Sequence, residues 1–224
     1  MSVQTLHGIS ASPGIAIGPV YLYAVQHVVV ARRSGFDVDN ELDRLASALT
    51  AARQQLAALT ERARQAAGAD EAAVFEAHQM FLDDPELLDR VRTLLRKESV
   101  SAEYAWQAGT HHYAETLSRI DDEYLAARAA DVKDVAQRVL RILVGVHSEV
   151  GGPQTPAVIA AEDLTPSDTV TLDKSKVLAF CTAGGGPTSH VAILSKALGI
   201  PAVVGLSDSF SALKNARTVI VDGG

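Results

Sequence analysis

Residues 177–204 read VLAFCTAGGGPTSHVAILSKALGIPAVV. The pattern changes twice along this run. Val177–Cys181 is a short apolar, β-prone stretch, Gly184-Gly185-Gly186-Pro187 breaks it, and His190–Leu198 reads as a helix. Ala202–Val204 is a second short apolar run. Strand, glycine loop, helix and strand in that order predict a small α/β unit. Upstream, Ala157–Ala160 predicts another strand. Thr165-Pro166-Ser167-Asp168 predicts a helix start, with a threonine cap, a proline at the first helical position and an acid at the third. Downstream, Asp208–Lys214 predicts a short helix and Thr218–Asp222 a strand, followed by Gly223-Gly224, a hairpin signal whose partner strand would come next. Residues 1–24 hold β-prone runs broken at Pro13-Gly14 and Gly18-Pro19, and the sheet they need is this one.

The middle of the chain has a different composition. Residues 36–144 hold 2 of the 16 glycines (Gly68, Gly109) and 1 of the 8 prolines (Pro85), yet 22 of the 36 alanines fall between Ala46 and Ala136, so this block reads as helical. Leu42, Leu45, Leu49, Ala52, Leu56, Leu59 and Ala63 form one helical stripe, and Val132, Val135, Val139, Ile142 and Val146 form another. Between them a helix runs from Asp70 to Leu82, is interrupted near Pro85 and resumes through Leu95; a third runs from Ser101 to about Thr116. Ser118, with Asp121 and Asp122 behind it, suits the start of a fourth. The first stripe could also serve an intermolecular coiled coil, but it covers only about three heptads with alanine in core positions, which favours packing within the chain. The expected architecture is an α/β domain of residues 1–30 and 148–224, with an all-α four-helix bundle, residues 31–147, inserted into it.

Charge and composition exclude several classes. The chain has 27 acidic and 20 basic residues, and the helical block alone, with 20 and 13, carries the whole net charge of −7. That balance disfavours a nucleic-acid binder, which needs many Lys and Arg against phosphates. A single cysteine forms no internal disulfide, and 47% hydrophobic residues suffice for a large core. No apolar run reaches about 18 residues, and MSVQTLHGIS lacks the order of a signal peptide, so a cytoplasmic protein without a membrane span is expected.

The glycine loop is the segment most suited to chemistry. Free N–H groups and the positive dipole end at a helix start favour an anion, and Gly184, Gly185 and Gly186 let the backbone approach a phosphate. Thr188 and Ser189 add hydroxyls and a cap. His190, in the first turn, is held there as a neutral, nucleophilic ring. A plain strand-to-helix turn with an exposed histidine has the same spacing, so the loop by itself leaves both readings open. It is not the dinucleotide fingerprint, because Ser189 stands where the third glycine belongs, and it lacks the Lys of a Walker A loop.

GGGPTSHVAILSKALGIPAVVG (184–205) resembles the phosphohistidine signature of the phosphoenolpyruvate-utilising enzymes, with Ser195-Lys196 where Ala-Arg is usual. ISASPGIAIGP (9–19), AAVFEAHQMFLDDPEL (72–87), DDEYLAARAADVKDVAQRVLR (121–141) and AAEDLTPSDT (160–169) resemble, in the same order, the Enzyme I branch of the sugar phosphotransferase system. The resemblance covers the chain and implies a swivelling-type phosphohistidine domain bearing a helical insertion. It makes His190 the phosphoryl carrier, attacking through Nε2, between phosphoenolpyruvate and a histidine of the carrier protein HPr. Thr169, in the LTPSDT turn, is the candidate partner for the ring; a capping or surface role for it is equally open. The family places the phosphoenolpyruvate and Mg²⁺ site, and the dimer contact, in a C-terminal barrel domain. Residues 1–224 alone are therefore expected to be monomeric, to need no cofactor or metal, and to exchange phosphate with HPr without being charged by phosphoenolpyruvate.

The acidic helical block then suits docking of HPr, whose family members carry basic residues around their histidine. Asp70, Glu71, Val74, Glu76, His78, Met80 and Phe81 fall in the matching helix, with Arg128 on the fourth. Periodicity alone reads the acids as a solvated face and Val74, Met80 and Phe81 as core; the motif match favours an interface for the group, though not for each member. His78 and the pair His111-His112 do not form a zinc pattern, and Cys181 reads as a small buried hydrophobe. Two other classes remain open on sequence: the phosphohistidine domain of a multiphosphoryl carrier or other phosphoenolpyruvate-utilising enzyme, and a non-catalytic interaction module.

Overall fold

Strand β1 (Ile9–Ser12) and strand β2 (Ile15–Tyr23) are separated only by Pro13-Gly14, yet they do not pair with each other. The structure, a computed structural model, describes residues 4–24, 28–121, 123–146 and 152–224. The chain divides into two compact units, Met1–Gln26 with Glu149–Gly224, and His27–Ser148.

In the first unit six strands form one sheet in the order β1-β5-β4-β3-β2-β6, with β3 at Ala157–Ala161, β4 at Val177–Thr182, β5 at Ala202–Val204 and β6 at Thr218–Asp222. Strands β2, β3, β4 and β5 run parallel, while β1 and β6 pair antiparallel with β5 and β2. Four strand spacings would put β1 about 19 Å from β2 in a flat sheet, whereas the short Pro13-Gly14 link reaches at most about 11 Å. The sheet therefore curls until its edges approach. Across them the Gly223 N–H donates to the Gly14 carbonyl (2.9 Å) and the Ser10 hydroxyl donates to the Gly223 carbonyl (2.6 Å). A side-chain carbon at Gly223 would collide with the Ser12 carbonyl, so this closure requires glycine.

Every residue of β3 is buried, as a central parallel strand covered on both faces demands. One face, with Ile159 and Phe180, packs against Leu164, Leu172, Val191 and Ala192, which flank and belong to helices α6 (Pro166–Thr171) and α7 (His190–Leu198). The other, with Val158, Ala160, Ala179 and Cys181, packs against Leu206, Phe210 and Leu213. The latter segment, expected as a short helix over Asp208–Lys214, is a 3-10 helix, Ser207–Asn215.

The second unit contains helices α1 (Val38–Ala67), α2 (Ala69–Leu82), α3 (Pro85–Glu98), α4 (Ala102–Ser118) and α5 (Glu123–Leu143). Five helical segments stand where four were expected because the break at Pro85 is complete. Asp84 caps α3 through the Leu87 N–H, with Pro85 in its first turn, so α2 cannot continue. The α1 stripe from Leu45 to Ala63 is buried. Trp106 is fully buried, and its indole N–H donates to the Ala136 carbonyl, tying α4 to α5. Ser118 does not start a helix: it is the last residue of α4, its hydroxyl donating to the Glu115 carbonyl. Asp122, the other half of that expected start, lies outside the described residues. Val146 lies past the end of α5 and is exposed, so the second stripe stops short of it.

Candidate functional site

The glycine loop joins β4 to α7 and is pinned by backbone bonds to both neighbouring strands. Ala183 and Gly184 donate to the carbonyls of Ala161, the last residue of β3, and of Glu162 just past it (3.0 and 2.9 Å). Gly205 and Ser207, past the end of β5, donate to the Gly184 and Ala183 carbonyls (3.0 and 2.9 Å). Gly205 and Ser207 were not among the expected site residues; Gly205 closes the GIPAVVG segment, which was the available signal. Gly185 has φ +89°, so a side chain there is strained, while Gly186 faces open space that a bulky anion could enter. Thr188 is exposed. Ser189 is the cap of α7, its hydroxyl accepting from the Ala192 N–H and keeping its own proton to donate.

His190, half-buried, is the first residue of α7. Its Nε2 lies 2.9 Å from the Oγ1 of Thr169, a buried residue of α6. The same Oγ1 lies 2.9 Å from the Pro166 carbonyl. A carbonyl can only accept, and a hydroxyl has one proton. Thr169 therefore donates to Pro166 and accepts from the ring, which places a proton on Nε2. Helix α6 begins with the expected motif: Asp168 N–H donates to Thr165 Oγ1, and the Asp168 carboxylate accepts from the Thr165 N–H, a reciprocal capping box.

The residues grouped on α2 and α5 are not one surface. Glu76 and Met80 are exposed, Glu76 pairing with Arg64 at 2.8 Å. Val74, Phe81 and Arg128 are half-buried; Phe81 packs edge-on to Tyr113 beside Ala114, Ala129 and Val132. Glu71 is buried, and the side chain of Asp70 lies outside the described residues. His78 is fully buried and cannot meet a partner on this surface; its Nε2 lies 3.4 Å from Asp131 and its Nδ1 3.9 Å from Asp134. It fills the α2–α5 contact because Phe75 and the two α5 carboxylates enclose its ring. Burial pushes the Asp131 carboxyl up, but contact with His78 and Arg128 outweighs this and holds it below the usual carboxylate range.

His111 is exposed and pairs with Glu115 one turn on. Among the described residues no three His, Cys, Asp or Glu side chains gather as metal ligands. Cys181 is buried, and burial pushes its thiol up to about 11.

Two family models cover the chain: "PEP-utilising enzyme, N-terminal" over residues 7–128 and "PEP-utilising enzyme, mobile domain" over residues 127–224. The chain belongs to the phosphoenolpyruvate-utilising enzymes. Within them it matches the N-terminal region of Enzyme I. It is 42% identical to the phosphoenolpyruvate-protein phosphotransferase of Geobacillus stearothermophilus, over 98% of the chain and 38% of that protein. With that of Bacillus subtilis (strain 168) it shares 39% identity, over 99% of the chain and 39% of that protein. The chain thus spans under two-fifths of the length of these curated relatives. A solution structure of Enzyme I is similar with a TM-score of 0.79 at 39% identity, over 98% of this chain and 90% of that one. The N-terminal domain of a nitrogen-type Enzyme 1 follows at 0.66 and 28%, with the same coverage. The seam between the two family models falls inside α5, while the mobile-domain model takes in β3–β6, α6 and α7 and with them the Thr169–His190 pair. No described helix is long and apolar enough to cross a membrane.

The lowered Asp131 carboxyl has a pH consequence. Its folded-state value lies below the unfolded one, so its ionised form stabilises the second unit above about pH 4 and that contribution is lost as the pH falls through the folded value. Asp131→Asn should flatten the acid limb of the unfolding profile between about pH 2 and pH 5, measured as denaturant midpoint against pH. An unchanged limb would show that the carboxylate does not stabilise the fold.

Proposed function

We propose that the chain carries a phosphoryl group on His190, taking it from phosphoenolpyruvate by way of a C-terminal domain of the full-length enzyme and passing it to a histidine of HPr, in the cytoplasm, as part of sugar uptake. The observation that carries this reading is the oriented ring: a helix-start histidine beside a glycine loop, held through Nε2 by a buried threonine hydroxyl.

Phosphoryl transfer goes through a loose transition state, so the protein contributes alignment and charge stabilisation rather than covalent chemistry. The attacking nitrogen must offer a lone pair in line with the bond being broken. While Nε2 donates to Thr169 it has none to offer. Attack through Nε2 therefore requires the ring to leave the hydroxyl and its proton to pass, through solvent, to Nδ1. The Nε2 lone pair then forms the N–P bond as the donor's bond to phosphorus breaks, its electron pair returning to the donor. The new phosphoryl oxygens sit at the start of α7, where the dipole and loop N–H groups tolerate negative charge. The reverse sequence delivers the group to HPr and restores the Thr169 contact.

The helical block, with all of the net charge of −7, is the docking unit for a basic partner in this reading. Glu76 and Met80 supply an exposed acid beside an exposed apolar side chain, with Val74, Phe81 and Arg128 at the margin and His78 beneath. Dimerisation and charging by phosphoenolpyruvate belong to the C-terminal domain, so residues 1–224 by themselves exchange phosphate with HPr only.

Incubation with phosphorylated HPr should transfer acid-labile, base-stable phosphate to the chain, and His190→Ala should abolish the transfer with an unchanged circular dichroism spectrum. Labelling retained in the variant would overturn the assignment. Glu76→Lys should slow association with HPr about fivefold at low ionic strength, with the difference shrinking in high salt. An equal rate at low salt would remove Glu76 from the docking surface.

A further inference from the structure

Helix α6 has six residues, too few to hold its own place, because the cost of nucleating a helix is recovered only over longer runs. Yet it must fix the Thr169 hydroxyl to within a few tenths of an ångström for the 2.9 Å contact with His190. Its two flanks, Leu164 and Leu172, are buried in the core. Apolar packing is non-directional and sets where α6 lies, but not how it is turned about its axis.

A directional restraint comes from β2. Tyr23, the last residue of that strand, is buried and pairs in register with Ala161, the last residue of β3, the strand that leads into α6. Its hydroxyl donates to Asp168 Oδ1 at 2.9 Å, a buried bond between groups 145 residues apart in sequence. The other carboxylate oxygen, Oδ2, accepts from the Thr165 N–H (3.0 Å) and the Thr165 hydroxyl (2.8 Å). Asp168 is itself buried, so each of these bonds offsets desolvation of a carboxylate and none is idle. Asp168 is also the residue immediately before Thr169. The carboxylate is thus held on one side by the helix's own cap and on the other by the sheet.

We infer that Tyr23 and Asp168 are positioning residues for phosphoryl transfer: through the Tyr23–Asp168 bond the sheet sets the rotation of α6, and so the angle at which Thr169 meets the His190 ring. The inference rests on the reading of His190 as the phosphoryl carrier. It adds a residue from the first strands of the chain to a site otherwise built from residues beyond 160. Neither residue touches the transferred group.

The test uses the 224-residue chain with Tyr23→Phe, Asp168→Asn and both together. Tyr23→Phe keeps the ring in the core and removes only the hydroxyl. Asp168→Asn keeps the shape but replaces one acceptor oxygen by a donor. Each single variant should lower kcat for transfer from phosphorylated HPr about tenfold with KM unchanged, since a small misplacement costs rate and not docking. The double variant should be no slower than the slower single one, as expected for two ends of one contact. The ring ¹⁵N shifts of His190 in the unphosphorylated chain should move in all three. Wild-type kcat and unmoved ring shifts, with only a lowered unfolding midpoint, would make the bond purely structural and overturn the inference. If the wild-type chain takes no phosphate at all, the functional reading fails, while the ring shifts still decide whether Tyr23 orients His190.

Discussion

Thr169 has one hydroxyl proton and gives it to the Pro166 carbonyl. What remains on the oxygen is a lone pair facing His190, and this fixes which ring nitrogen carries a proton at rest. The rest of the first unit can be seen as the means of bringing those two side chains together. Strands β3 and β4 are parallel neighbours, with Ala161 beside Thr182, so the segments following them leave the same end of the sheet. One carries α6 and Thr169, the other the glycine loop, α7 and His190. Parallel pairing is what makes residues 21 positions apart meet. The resting bond also has a cost built into it: the nitrogen that it orients is blocked while it lasts. In the proposed reading the carrier must both hold and release phosphate, and a resting state of that sort is stable enough to orient the ring and weak enough to break.

The two units divide the physical work. The sheet unit, with 7 acidic and 5 basic residues, carries little net charge and offers backbone N–H groups, a helix start and hydroxyls, which in the proposed reading stabilise a phosphoryl group without a competing side-chain cation in the loop. The helical unit carries most of the excess acid, which in the same reading acts on a whole partner rather than on a reacting atom. Its interior is less simple than its surface. Glu41 is buried, accepting the Ala102 N–H at the start of α4 and pairing with Arg44, which also reaches Glu103 and the Leu143 carbonyl. His78 lies buried against Asp131 and Asp134. Acidic residues in this block thus serve two ends, and the net charge alone does not say which.

Much of the fold was legible because strong local signals agreed. Thr165-Pro166-Ser167-Asp168 carried a cap, a first-turn proline and an acid, and the structure contains the full capping box. Gly199 closes α7 in the left-handed conformation that glycine adopts without strain. Pro85 split its helix, and Asp84 supplied the new cap. Ser118 misled because a serine followed by acids looks the same at either end of a helix; here its hydroxyl returns to the Glu115 carbonyl instead of capping forward. The segment after Leu206 showed helical spacing but forms a 3-10 helix, a difference that periodicity over nine residues hardly separates. In the site, Thr169 and His190 could be named from sequence, but their meeting depends on strand order, which no local pattern contains. The same holds for Tyr23, whose partner lies 145 residues away. His78 was placed with a surface group by its motif, and only the packing of α5 over it shows that it is interior.

The protonation of one ring decides how the site rests. Two-bond ¹⁵N–¹H correlation spectra of the unphosphorylated chain at neutral pH report which imidazole nitrogen of His190 bears the proton. The geometry predicts the Nε2–H form, with that proton slow to exchange because it is bonded to Thr169, and a loss of the preference in Thr169→Val. A wild-type ring protonated on Nδ1 alone, with Nε2 carrying a lone pair, would contradict it, since Thr169 would then be a donor to the ring and the proposed release step would have nothing to release.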